Sequence, residues 1–113
     1  MVERKRQSVC ERVNALRSPP AAGSKLGVAL PTLGRTPVHG LRHPPTDATC
    51  GWFVWCGELS DDPDFFSPLH VEHLADYLPS VVEYLDLPPG YRFLVDGEKF
   101  EDVWFDAELL SPK

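Results

Sequence analysis

With 113 residues the chain holds one domain, long enough to bury roughly two thirds of the surface that its unfolded form exposes. Its net charge of −6 conceals two opposite halves: residues 1–50 carry eight Lys/Arg against three Asp/Glu, and residues 51–113 carry three against fourteen. The acidic half excludes nucleic acid as a ligand there, because phosphates would be repelled.

Three cysteines, Cys10, Cys50 and Cys56, form no Cys-x-x-Cys motif, and no apolar stretch follows Arg4-Lys5-Arg6. Free thiols, no secretory signal and a cytoplasmic location are expected. The apolar run Gly51–Gly57 is far short of the ~20 residues that cross a bilayer, so no membrane contact is expected.

Along the chain, Val9, Val13 and Leu16 fall at helical spacing and predict a short basic helix over residues 3–17, ended by Ser18-Pro19-Pro20. Residues 1–24 read as a basic N-terminal extension, dispensable for folding, and residues 25–113 as a single α+β domain. Leu26–Leu30 predicts a strand, and Thr36–Leu41 a second one that Pro37 confines to an edge or to a start. Trp52–Cys56, uncharged and rich in aromatic and β-branched residues, predicts a strand covered on both faces. From Pro68 the period changes. Leu74, Leu78, Val81 and Leu85 form one apolar stripe on a helix of about 18 residues, with Ser67 as N-cap, Pro68 in the first turn and Pro79 as a kink. Tyr91–Val95 and Phe100–Phe105 predict a hairpin turning through Asp96-Gly97-Glu98-Lys99. The expected fold is α+β: a small, mostly antiparallel sheet with one long, Pro-interrupted helix packed on one face.

The most informative stretch is Gly51 to Phe66. It runs from a buried strand straight into Glu58, Asp61, Asp62 and Asp64, four carboxylates on a loop broken by Pro63. Phe65 and Phe66 follow, one expected to anchor the loop inward and the other to face solvent. Exposed aromatics ringed by polar groups mark interaction sites, so Glu58, Asp61, Asp62, Asp64, Phe65 and Phe66 are the candidate partner-binding residues. The partner they suit is a protein with a basic surface.

Chemistry is less well supported by these residues. His39 and His43 are four apart, and His70 and His73 three apart, but only the second pair is on a predicted helix, and His-x-Glu-His is not the zincin arrangement. Cys56 reads as a buried, inert thiol, and Ser60 and Ser67 lack a Gly-x-Ser-x-Gly context. No catalytic residue, metal or cofactor is expected. The competing classes are a generic acidic interaction or regulatory domain and a metal-assisted hydrolase built on His70 and His73.

Five segments together resemble the immunity protein 33 family. They are Arg42-His43-Pro44-Pro45, Gly51-Trp52-Phe53-Val54-Trp55 and Gly57-Glu58-Leu59-Ser60-Asp61-Asp62-Pro63-Asp64-Phe65-Phe66, then Pro68-Leu69-His70-Val71-Glu72-His73-Leu74, and Leu87-Pro88-Pro89-Gly90-Tyr91-Arg92-Phe93-Leu94. Phe100-Glu101-Asp102-Val103-Trp104-Phe105-Asp106 continues the likeness, which spans roughly residues 36–110. The resemblance implies a small α+β, non-enzymatic cytoplasmic antidote to a toxin of interbacterial competition. It brings no binding residues with it, and it leaves the oligomeric state open.

Overall fold

The computed structural model describes residues 9–47, 49–96 and 100–110. Six strands form one sheet: β1 (Lys25–Val28), β2 (Val38–Arg42), β3 (Trp52–Cys56), β4 (Ser67–His70), β5 (Tyr91–Val95) and β6 (Glu101–Phe105). Their spatial order is β4-β1-β3-β2-β5-β6. β1 runs parallel to β3, and every other neighbouring pair is antiparallel, so the sheet is mixed. Among the described residues helical structure is confined to α1 (Val9–Arg12), α2 (Leu74–Tyr77) and four 3₁₀ segments, the longest being Pro79–Asp86.

The expected long helix is therefore corrected. Ser67 and Pro68 do not cap it; they open β4, an edge strand in which Ser67 pairs with Val28 and Pro68 with Gly27. Proline lacks the N–H that an inner strand must donate, so it is tolerated at an edge. Further on, Leu78 leaves the helical region at φ −140°, ψ 66°. It precedes Pro79, whose ring disfavours helical backbone at the residue before it. The apolar stripe nonetheless packs on the sheet: Leu74, Val81 and Leu85 are buried in the core, and Leu78 packs against it.

The predicted N-terminal helix ends at Arg12 and not at residue 17; its predicted start lies outside the described residues. α1 stops because Asn14 adopts φ 63° and the Ala15 N–H reaches back to the Cys10 carbonyl (2.8 Å), a left-handed helix stop. Val9 and Cys10 are nevertheless only 1% exposed and belong to the core, whereas Leu16 faces solvent. Pro37 precedes β2, so that strand runs inside the sheet without losing a ladder bond. The hairpin of β5 and β6 forms as predicted, with Tyr91 opposite Phe105 and Val95 opposite Glu101; its turn residues 97–99 lie outside the described residues.

Alternation along the strands gives the sheet two unlike faces. Leu26, Val28, Trp52, Val54, Phe93 and Val95 point to the face carrying α1, α2 and the Pro79–Asp86 segment, and they make the core. There the Phe93 ring stacks on Tyr84 (4.6 Å between centroids) and lies over Gly40, where any Cβ would come within 2.2 Å of it. The Trp52 indole N–H donates to the Leu85 carbonyl (3.0 Å), tying that segment down. The opposite face carries none of these three segments; only the short 3₁₀ turn Ala107–Leu110 reaches its margin among the described residues, with the Leu109 carbonyl 3.2 Å from His43 Nδ1.

Candidate docking surface on the open sheet face

The open face is built by register. Trp55 sits opposite His39, which sits opposite Leu94; Phe53 sits opposite Leu41, which sits opposite Arg92. The His39 and Trp55 rings stack at 4.9 Å, nearly parallel at 9°. Phe66, arriving from the acidic loop, lies edge-on to Phe53 (5.2 Å) and to Trp55 (6.1 Å), and Phe65 leans edge-on against Phe66 (4.9 Å). Trp52–Cys56 is thus covered on one face by helical segments, and on the other by His39 and Phe66 while Phe53 stays half-buried. Beside these rings lies a cavity of about 250 Å³, lined by Leu41, His43, Phe53, Trp55, Leu59 and Phe66.

Glu58, Asp61, Asp62 and Asp64 are all exposed. Among the described residues none of the four is in an ion pair. Asp62 has a second task. Its Oδ1 accepts the Asp64 N–H (2.9 Å) and its carbonyl accepts the Phe65 N–H (2.9 Å), so it shapes the turn that delivers the two phenylalanines. Phe65 and Phe66 are both half-buried, so neither is the solvent-facing aromatic that was expected. The exposed apolar residue of the loop is Leu59, at 59%. Sequence reasoning passed over it because a single leucine between Glu58 and Ser60 carries no periodic signal. The open-face residues His39, Leu41 and Phe53 were missed too; the alternation in β2 was their one available sign.

The acids of the hairpin do not continue this rim as a block. Glu101 is bound by Arg12 through both guanidinium nitrogens (2.6 and 3.0 Å) and by the Tyr84 hydroxyl, on the helical side. Burial first, and Glu101 second, push the Tyr84 hydroxyl pKa upward, which keeps it a donor. Asp106 is bound by Arg92 (3.1 Å), and Arg17 binds Asp86 (2.7 Å). Part of the opposite charge of the two halves is therefore consumed inside the molecule.

The histidine pairs do not converge on a ligand. His70 is in β4 and exposed, its ring 6.1 Å from that of His73, which pairs with Asp76 (3.5 Å). Among the described residues no group of three His, Cys, Asp or Glu could hold a metal ion. Cys10, Cys50 and Cys56 are free and buried, and burial raises the pKa of the Cys10 and Cys56 thiols. Among the described residues no helix is long and apolar enough to cross a membrane.

His39 gives the open face a pH dependence. Burial, and then the charge of Arg92, lower its pKa, while a hydrogen bond with the Gly57 backbone opposes them. In the unfolded chain an imidazole titrates near about 6.5. Below that pH the unfolded state takes up a proton that the folded state resists, so stability falls as pH drops from there toward the lower folded value. We expect His39→Phe, which keeps the stacking surface, to remove this part of the acid sensitivity. Urea midpoints at pH 7.5 and 5.5 check it; an unchanged difference between the two would contradict it.

A family model described as an Imm33-like domain matches residues 5–106. No curated protein and no solved structure matches the chain. The match extends well upstream of the segments that carried the resemblance, across α1 and β1 into the basic N-terminal stretch, and it takes in the acidic loop and the whole sheet. The chain belongs to the Imm33-like domain family, a family of immunity proteins.

Proposed function

We propose that this protein is a cytoplasmic, non-enzymatic immunity protein that binds and neutralises a cognate bacterial toxin by occupying its surface. Glu58, Asp61 and Asp64 steer a basic toxin surface to the loop, Asp62 holds the loop's shape, and Phe65 and Phe66 supply the apolar contact. The reading needs no cofactor or metal, and no membrane or nucleic-acid partner. One observation carries it: four exposed carboxylates, in no ion pair among the described residues, border a half-buried aromatic cluster. Like charges so close together raise the energy of the free protein, and a basic partner relieves that repulsion.

The test uses the product of the gene immediately upstream. Expressed alone it should arrest growth, and co-expression with this chain should restore growth and give a stoichiometric complex on gel filtration. If growth is not restored and no complex forms, the toxin reading fails and a generic acidic interaction domain takes its place. Turnover of the toxin or its substrate that is lost in a folded His70→Ala or His73→Ala variant would favour the hydrolase instead.

A further inference from the structure

Among the described residues, two buried side-chain polar atoms have no hydrogen-bond partner, Trp55 Nε1 and Arg92 Nε, and both residues are on the open face. Buried donors are paired in the great majority of native structures, and an orphan calls for an explanation. The helical face, where the Trp52 indole and the Arg42 guanidinium are hydrogen-bonded, has none among the described residues. Beyond the first cavity a second one, of about 200 Å³, lies along β1 and β4, and it shares Phe53 and Phe66 with the first. Sharing Phe53 and Phe66, the two adjoin as a groove running from β1 and β4 toward β3 and β2. Leu59 forms part of the wall of the first, and Glu58 immediately precedes it in the chain, so the acidic loop is the rim of the groove.

We infer that this groove, rather than the loop alone, is the docking surface, and that its occupant is a basic segment of a partner protein that seats an aliphatic or aromatic side chain between Phe66 and His43. The inference rests on the toxin-binding reading and goes beyond it by moving the apolar anchor onto the sheet and giving the partner segment its chemistry. The apolar lining asks for an apolar side chain, and the unpaired carboxylates ask for Lys or Arg around it. A backbone carbonyl of such a segment is the acceptor that the Trp55 indole N–H, in the wall of the first cavity, lacks; Arg92 lines neither cavity. A second copy of this chain does not fit, because it would bring the same acidic rim against itself.

Two synthetic peptides of eight residues test this on the full-length protein, one alternating arginine and leucine, the other glutamate and leucine. In ¹H–¹⁵N spectra the arginine peptide should shift the Trp55 indole signal and the amides of residues 57–67 in a saturable way, and the glutamate peptide should not. Leu41→Ala and Leu59→Ser should each weaken the arginine peptide by about tenfold, roughly the loss of one half-buried leucine contact. Leu59 is exposed enough that its variant retains the fold if Leu41→Ala does not. Equal shifts from both peptides, shifts confined to the helical face, or concentration-dependent dimerisation of the protein through the open face would overturn the inference. The upstream toxin separates the two levels. If the wild type restores growth and both leucine variants restore it fully, the groove is wrong and immunity stands. If the wild type restores nothing, the toxin reading fails and the peptide result alone decides the groove.

Discussion

Replacing Arg42 with methionine should cost the fold about 3–5 kcal/mol, the largest effect we expect of any single substitution. Arg42 is only 3% exposed and has no carboxylate within ion-pair distance among the described residues. Its Nε donates to the Cys50 carbonyl (3.0 Å), and its Nη1 to the carbonyls of Ser18 (2.6 Å) and Leu87 (2.8 Å), with Leu85 at 3.4 Å. Three separate segments are held by one side chain: the stretch after α1, the β2–β3 connection and the end of the Pro79–Asp86 segment. The last carbonyls of a helical segment have no partner of their own, so a buried donor there replaces water. Burial lowers the Arg42 pKa, yet a guanidinium stays charged in proteins, so a charge is being kept in the interior.

Two effects therefore oppose each other in Arg42→Met. Removing an uncompensated buried charge relieves a desolvation cost. Removing its donors leaves two or three buried carbonyls unsatisfied, at about 1–3 kcal/mol each, and that effect wins. Arg42→Lys should fall between, since an ammonium has donors but cannot span all three segments. Urea unfolding with unchanged slope checks both. A loss below about 1 kcal/mol for methionine would mean that these carbonyls find other partners.

Removing residues 1–18 should be nearly as damaging, contrary to the dispensable extension that composition suggested. Val9 and Cys10 are buried in the core against the Pro79–Asp86 segment, and together their burial is worth roughly 3 kcal/mol. The Arg12–Glu101 pair adds little by itself, being about one third exposed. The deletion also removes the Ser18 carbonyl that Arg42 binds and the Ser18 N–H that donates to the Asp86 carbonyl (2.7 Å). A fall in Tm on the order of 10–20 °C follows from a loss of that size in a domain near 100 residues. Calorimetry on the truncated and full chains checks it, with Val9→Ala in the full chain as the smaller counterpart. An unchanged transition would restore the boundary at residue 24.

The sequence made strands legible where one local signal stood alone. Trp52–Cys56 and the Tyr91–Phe105 hairpin needed only apolar content and turn residues. It misled where two structures share a signal. Ser67-Pro68 before an apolar stripe is the start of a helix by local chemistry, and it is equally an edge strand that requires no N–H from its proline. Only the pairing of Leu69 with Leu26, 43 residues away, distinguishes them. The stripe from Leu74 to Leu85 was correctly read as buried; what it could not report was that Pro79 forbids Leu78 the helical backbone.

For the candidate site, the exposure of Glu58, Asp61, Asp62 and Asp64 was legible from charge density alone. The open face was not, because Trp52–Cys56 is apolar throughout and says nothing about which side is left uncovered. The charge asymmetry was half legible. Arg12 and Arg17 answer Glu101 and Asp86 within the molecule, while the densest run of acids, Glu58 to Asp64, stays on the loop.

The central claim is that this loop steers a basic toxin surface, and association kinetics test it most directly. Asp62 holds the turn, so the informative variant is Glu58→Lys with Asp61→Lys, two exposed carboxylates in no ion pair among the described residues. Rim charges act chiefly on the rate of encounter, and salt screens them beyond about 8 Å at physiological ionic strength. Against the upstream gene product we expect association at least about tenfold slower at low salt, a flatter dependence on salt, nearly unchanged dissociation and an unchanged urea midpoint. Association as fast as the wild type's at every ionic strength would leave the loop an ordinary solvated surface and contradict the claim.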